Sequence, residues 1–187
     1  MPDRDFAALT GPRVLLRRFE PADLDAFVAY RSVPAVARYQ SWDAPFARAD
    51  GERLLARMGR EHPDTAGEWF QFAITLAATG QLIGDCGVLT EPDPRQCELG
   101  FTLAPQYQGH GYATEAVRLL TGYLFGTRGK HRIHASCDAR NTASAAVLER
   151  AGLRREGHLR ASTWAKGEWT DDLLYGLLHE EWQAAAR

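Results

Sequence analysis

The sequence predicts one mixed α/β (α+β) domain over residues 1–187, in which an antiparallel meander leads into βαβ-like units. Three observations predict it. Residues 69–103 hold three apolar, partly alternating runs separated by the turns Ala78-Thr79-Gly80-Gln81 and Glu91-Pro92-Asp93-Pro94. Residues 112–127 and 141–151 repeat apolar side chains at helical spacing, with a strand-like run between them. At 187 residues, 45% hydrophobic and 25% charged, the chain suits one soluble domain with a substantial core.

The elements follow in order. After the turn Gly11-Pro12, Val14-Leu15-Leu16-Arg17-Arg18 reads as a first strand. Pro21-Ala22-Asp23 opens a helix with Leu24, Phe27, Val28 and Tyr30 on its apolar side. Residues 34–39 read as a short further turn of helix, Asp43-Ala44-Pro45-Phe46 as a loop, and 47–58 as a helix with Leu54, Leu55 and Met58 inward. A polar loop at 61–67 precedes the three strands 69–76, 82–89 and 96–103. On the helix at 112–127, Ala113, Ala116, Val117, Leu120, Tyr123 and Leu124 form a core-facing stripe. Residues 132–137 are a strand, and the helix at 141–151 stops at Gly152. Closing strands are expected at 154–158 and 173–178, then a short helical tail around Trp182.

Bulk properties exclude several functions. Net charge is −2 with no basic run, so no nucleic-acid partner is expected. No apolar run approaches the ~20 residues of a membrane helix, and Met1-Pro2-Asp3-Arg4-Asp5 has no apolar signal core. The expectation is therefore a cytoplasmic protein with no membrane partner. Cys86, Cys97 and Cys137 are odd in number, lack C-x-x-C spacing and lie in strand-like runs, which predicts buried reduced thiols. The six histidines show no ligand spacing, so no metal is expected.

The most informative run is Gln108-Gly109-His110-Gly111-Tyr112-Ala113, followed by Thr114-Glu115-Ala116-Val117. Two glycines lead straight into a helix. The first turn of a helix has unpaired N–H groups and a dipole that favours anions, and glycines let an anion approach the main chain. The run reads as a phosphate cradle, or as plain turn chemistry. It is not a P-loop, because Tyr112-Ala113 stands where a Lys-Ser/Thr pair belongs. It misfits the dinucleotide fingerprint too: Thr114 replaces the third glycine, and a loop precedes the run.

A second cluster, Asn141-Thr142-Ala143-Ser144 with Leu148-Glu149-Arg150-Ala151-Gly152-Leu153, lies one helix and one strand later. Together the two clusters resemble the GNAT superfamily of acyl-CoA-dependent N-acetyltransferases, and in particular its RimJ/RimL-like branch, whose members modify N-terminal amines of ribosomal proteins. Gln108 to Ala113 fits that family's Q/R-x-x-G-x-G/A loop; a register from Gln106 to Gly111 also fits the letters. Residues 12–17, Glu98-Leu99-Gly100-Phe101, Asn141-x-x-Ser144, Gly167-x-Trp169-x-Asp171, Tyr175-Gly176-Leu177-Leu178 and Glu181-Trp182 resemble further segments of the branch.

The resemblance implies a GNAT fold: a mostly antiparallel mixed sheet of about seven strands, splayed between the fourth and fifth and flanked by helices. It implies acetyl-CoA as co-substrate, with no metal, and direct attack of a primary amine on the thioester in a ternary complex. The donor would lie against Gln108, Gly109, His110, Gly111, Tyr112, Ala113, Thr114, Asn141 and Ser144, with His110 and Tyr112 contributing only backbone. A backbone N–H near Phe101, Thr102 and Leu103 would face the oxyanion. Glu98 is the candidate base, and a strand-edge acid in solvent is its other reading. Many family members carry a Tyr acid seven positions after the motif Asn, where this chain has Leu148. Ser144 is the candidate in its place, and Asn141 also suits a helix N-cap. Tyr30, Tyr39, Trp42 and residues 164–169 are expected on the acceptor side, with Trp42, Trp169 and Asp171 as substrate-binding candidates; Glu168 and Asp172 are further acids there. The acceptor is a protein N-terminal amine or a small-molecule amine, and the assembly a monomer or homodimer. The alternative is a degenerate acyl-CoA-binding sensor or interaction module without turnover.

Overall fold

The computed structural model describes Phe6 and residues 8–185. The reading of Met1 to Asp5 as lacking a signal core lies outside them. Eight strands form one sheet, in the order β1-β2-β3-β4-β5-β6-β8-β7. They are β1 (Ala8–Thr10), β2 (Val14–Arg17), β3 (Trp69–Leu76), β4 (Leu82–Thr90), β5 (Gln96–Leu103), β6 (Arg132–Asp138), β7 (Arg154–Ala165) and β8 (Glu168–Leu178). The helices are α1 (Leu24–Arg31), α2 (Pro34–Ala37), α3 (Arg48–Met58), α4 (Tyr112–Gly126), α5 (Thr142–Ala151) and α6 (His179–Ala185).

Eight strands rather than about seven follow from β1, three residues that pair antiparallel with β2 at the sheet edge. So short a strand has no periodicity to read. The closing hairpin is also longer than 154–158 and 173–178. Most of β7 is exposed, so it lacks an alternating pattern. Its two-residue connection, Lys166 and Gly167, has φ of +49° and +85°, the left-handed pair of a tight hairpin turn.

Every neighbouring pair of strands is antiparallel except β5–β6. That parallel pairing has three rungs, Gln96–Arg132, Cys97–Ile133 and Glu98–His134. Beyond Glu98, β5 continues beside β4 to Leu103, and β6 continues beside β8 to Asp138. The sheet is therefore split past the Glu98–His134 rung. These are the two strands between which the splay was expected; counting β1 makes them the fifth and sixth.

Alternation along the strands sorts the two faces. Phe72 pairs with Cys86, and Cys86 with Phe101; Phe72 meets Tyr123 of α4 at 6.4 Å between ring centroids. On this face α4 buries Ala116, Val117, Leu120 and Leu124, and each large aliphatic contributes ~1.5–3 kcal/mol. The helix α5 lies beside α4 and packs on β6 and β7. Asp85 points to the opposite face, where the buried Tyr30 hydroxyl and Arg31 guanidinium of α1 bind it. Tyr30 and Arg31 Nη2 both donate to the Asp85 carboxylate, while the buried Arg31 Nε has no hydrogen-bond partner among the described residues.

Candidate active site

The glycine run joins β5 to α4. Gly109 and Gly111 have φ of +77° and +81°, and Gly111 is the N-cap of α4. Left-handed backbone is open to glycine at little cost and strained for other residues. Glu115 is the first α4 residue whose amide meets a carbonyl, that of Gly111 at 3.1 Å. Among the described residues no hydrogen bond takes the amides of residues 109–114. They form one concave set of donors at the positive end of a 15-residue helix.

Two devices hold the loop. The Gln108 side chain turns back and donates from Nε2 to the Leu103 carbonyl at 3.0 Å. Arg13, at the start of β2, donates from Nη1 to the His110 carbonyl (2.9 Å) and from Nε to Glu115 (2.8 Å). Glu115 also accepts the backbone N–H groups of Arg13 (2.7 Å) and Val14 (3.1 Å). Burial opposes ionisation of Glu115, but these bonds outweigh it and hold its carboxyl below the ordinary range. The His110 ring stacks on Tyr112, and the Arg13 guanidinium lies over the Tyr112 ring at 5.1 Å from its centroid.

A cleft of about 510 Å³ runs from this loop into the splay. Phe101, Thr102 and Leu103 line one side, Gln108, Gly109, Gly111, Ala113 and Thr114 its end, and Asn141, Ser144, Val147 and Arg150 the other side. His110 and Tyr112 are not in the wall. Ala104 donates its N–H to Ile83 of β4 at 2.9 Å. Antiparallel alternation then turns the N–H groups of Phe101 and Leu103 away from β4, into the split. Asn141 caps α5, its Oδ1 accepting the Ser144 amide at 3.1 Å. Leu148 is 1% exposed, in the core.

A second cavity, of about 700 Å³, opens on the α2 side of the sheet. Ala35, Tyr39 and Gln40 line both cavities. The larger one is also walled by Arg38, Ser136, Asp138, Arg140, Thr163, Lys166, Glu168, Thr170 and Asp172. Arg140 pairs with Asp138 (2.7 Å) and Glu168 (2.8 Å). Its hydrogen bonds hold the Asp138 carboxyl below the ordinary range, against burial. Asp172 accepts hydroxyls from Ser162 (2.7 Å) and Thr163 (2.6 Å). Ser136 links the cavity to Glu98, donating to Oε1 at 3.2 Å. Glu98 itself lies in neither wall. Beside it the His134 ring nitrogen is 3.2 Å from Glu91.

Residues 13–154 match the acetyltransferase (GNAT) domain family. The chain belongs to the GNAT acetyltransferases. It is 32% identical over 174 residues to the uncharacterized N-acetyltransferase YnaD of Bacillus subtilis, covering 93% of this chain and 98% of that one. A GNAT-family acetyltransferase from Bacillus anthracis superposes with a TM-score of 0.84 at 29% identity, over 92% and 99% of the two chains. A ribosomal protein uS5-alanine N-acetyltransferase of Escherichia coli is 31% identical over 86 residues, 46% of this chain and 44% of that one. The reaction class is therefore acetyl-CoA-dependent N-acetyl transfer.

Within this GNAT enzyme the expected donor residues converge on one cleft, except for the side chains of His110 and Tyr112. The expected acceptor residues do not converge. Trp42 packs behind the wall, its ring under the Arg31 guanidinium at 4.0 Å and its Nε1 donating to the Arg31 carbonyl. Trp169 is 62% exposed and meets Trp164 edge-on. Alternation along β8 places Trp169 and Asp171 on the face opposite Glu168, Thr170 and Asp172, the residues that line the cavity. Asp171 holds a bulge in β7, accepting from the Ala161 amide and bonding His158, each at 2.8 Å. Ser136 was not singled out in the sequence; only its side-chain bond to Glu98, two residues past the last β5–β6 rung, gives it meaning. Glu91, Glu98 and His134 place potential ligand atoms within 4.8 Å of one another, a proximity that comes from three elements and leaves no spacing in the sequence.

Proposed function

We propose that this GNAT enzyme transfers acetyl directly from acetyl-CoA to a primary amine while both are bound. The observation that carries the reading is the pair of cavities that meet at Ala35, Tyr39 and Gln40, one ending on free helix-start amides and the other walled by Asp138, Glu168 and Asp172 together with Arg38, Arg140 and Lys166. The amides of residues 109–114 hold the donor pyrophosphate, Asn141 and Ser144 flank the pantetheine arm, and the thioester reaches the junction. The Phe101 or Leu103 N–H polarises the thioester carbonyl, a donor worth ~3 kcal/mol in such sites.

The acceptor enters the larger cavity, where Asp172, which takes hydroxyls but no cation among the described residues, favours a cationic amine. Its proton leaves through Ser136 to Glu98, the base, so that the neutral nitrogen attacks. The same chemistry accommodates a protein N-terminal amine, as acetylated by the uS5-alanine relative, or a small-molecule amine. Thiol release from acetyl-CoA, measured against amines that include peptides with free N-termini, tests the reading. Donor binding without acetylation of any amine would replace it with a binding-only role.

A further inference from the structure

We infer that Tyr39 supplies the proton to the departing CoA thiolate. This rests on the direct-transfer reading above. In direct transfer the sulfur must sit where the donor cleft meets the acceptor cavity, because the amine attacks the carbon bonded to it. Three residues line both spaces, Ala35, Tyr39 and Gln40, and of their side chains only the Tyr39 phenol is an acid. The helix α5 offers no phenol: Leu148 is packed in the core. The Ser144 hydroxyl lines the donor cleft alone and is an alkanol, a far weaker acid than a phenol. Cys137 lines the acceptor cavity alone, and burial pushes its thiol up to about 11.

The ring is held at the junction from two elements. The Arg38 guanidinium lies 5.1 Å from its centroid and that of Arg140 lies 5.9 Å away. Arg140 is itself fixed by Asp138 and Glu168. The step balances. The amine lone pair forms the C–N bond, the C–S bond breaks with its electron pair on sulfur, and the Tyr39 proton passes to that sulfur. Before attack the ammonium proton goes through Ser136 to Glu98 and on to solvent, and as the amide forms the second nitrogen proton follows the same route to Glu98. Solvent entering the open acceptor cavity returns a proton to Tyr39 and takes one from Glu98. The products are an amide and the free thiol.

Tyr39→Phe in the full chain tests this, with wild type and Ser144→Ala measured alongside. The expected result is a kcat for thiol release lower by about 10²-fold, with KM for acetyl-CoA and for the amine within about two-fold of wild type. The kcat loss in Tyr39→Phe should exceed that in Ser144→Ala. An unchanged kcat in Tyr39→Phe, a loss confined to KM, or the larger kcat loss in Ser144→Ala overturns the inference while leaving direct transfer intact. A wild type that acetylates no amine overturns both.

Discussion

Glu115 shows how one side chain sets the site without touching substrate. Its carboxylate joins the first turn of α4 to the start of β2 through Arg13 and Val14. Its carboxyl is held below the ordinary range, so its contribution is present above ~4.3, the unfolded value, and is lost as pH falls through the folded one. Glu115→Gln should lower Tm at neutral pH and flatten the loss of Tm on acidification; parallel acid limbs for the two proteins would contradict this. Glu98→Gln should lower kcat by about 10²-fold or more with little change in acetyl-CoA KM, and an unchanged pH–rate profile removes Glu98 as base. At this scale the sequence was legible where backbone geometry dictates the residue, as at Gly109 and Gly111. It was not legible where a role depends on which way a strand faces. Asp171 and Asp172 are equivalent letters until β8 is known to run from Glu168, which sends Asp172 into the cavity and Asp171 to the bulge.

Among the elements, the β5–α4 connection carries the proposed donor site. A Cβ at Gly111 would combine positive φ with an approach of 3.3 Å to Arg13 Nη2. Gly111→Ala should therefore cost ~1–2 kcal/mol of stability and raise acetyl-CoA KM by about ten-fold or more while sparing the amine KM. Equal effects on both KM values would separate the loop from the donor. Leu148→Tyr tests the adjoining helix: a larger side chain at a 1% exposed position should cost ~1–3 kcal/mol by overpacking and bring no gain in kcat. A faster variant would show that α5 can present an acid after all. Helices α4 and α5 were legible because their apolar stripes repeat. The extent of β7 and β8 was not, since most of β7 faces solvent and its charges and hydroxyls carry no period.

For the whole molecule, topology turns local features into an enzyme. One parallel pairing of three rungs leaves the sheet split beyond Glu98, and both cavities form around that split. No periodicity in the chain announces a splay; it was legible only through the family resemblance carried by the glycine loop and Asn141-x-x-Ser144. The acceptor side stayed illegible because its wall combines α2, β6, the segment after β6 and the β7–β8 hairpin, which are distant in sequence. Among the described residues, no helix is long and apolar enough to cross a membrane. On the proposed reading, acetyl passes to an amine held in the larger cavity. Thiol release from acetyl-CoA with a panel of primary amines and peptides, with each product weighed by mass spectrometry, tests it most directly. The expected result is one free thiol per acetylated amine, with the rate sharply reduced by Asp172→Asn through the amine KM. Tight acetyl-CoA binding with no acetylated product across the panel would contradict it.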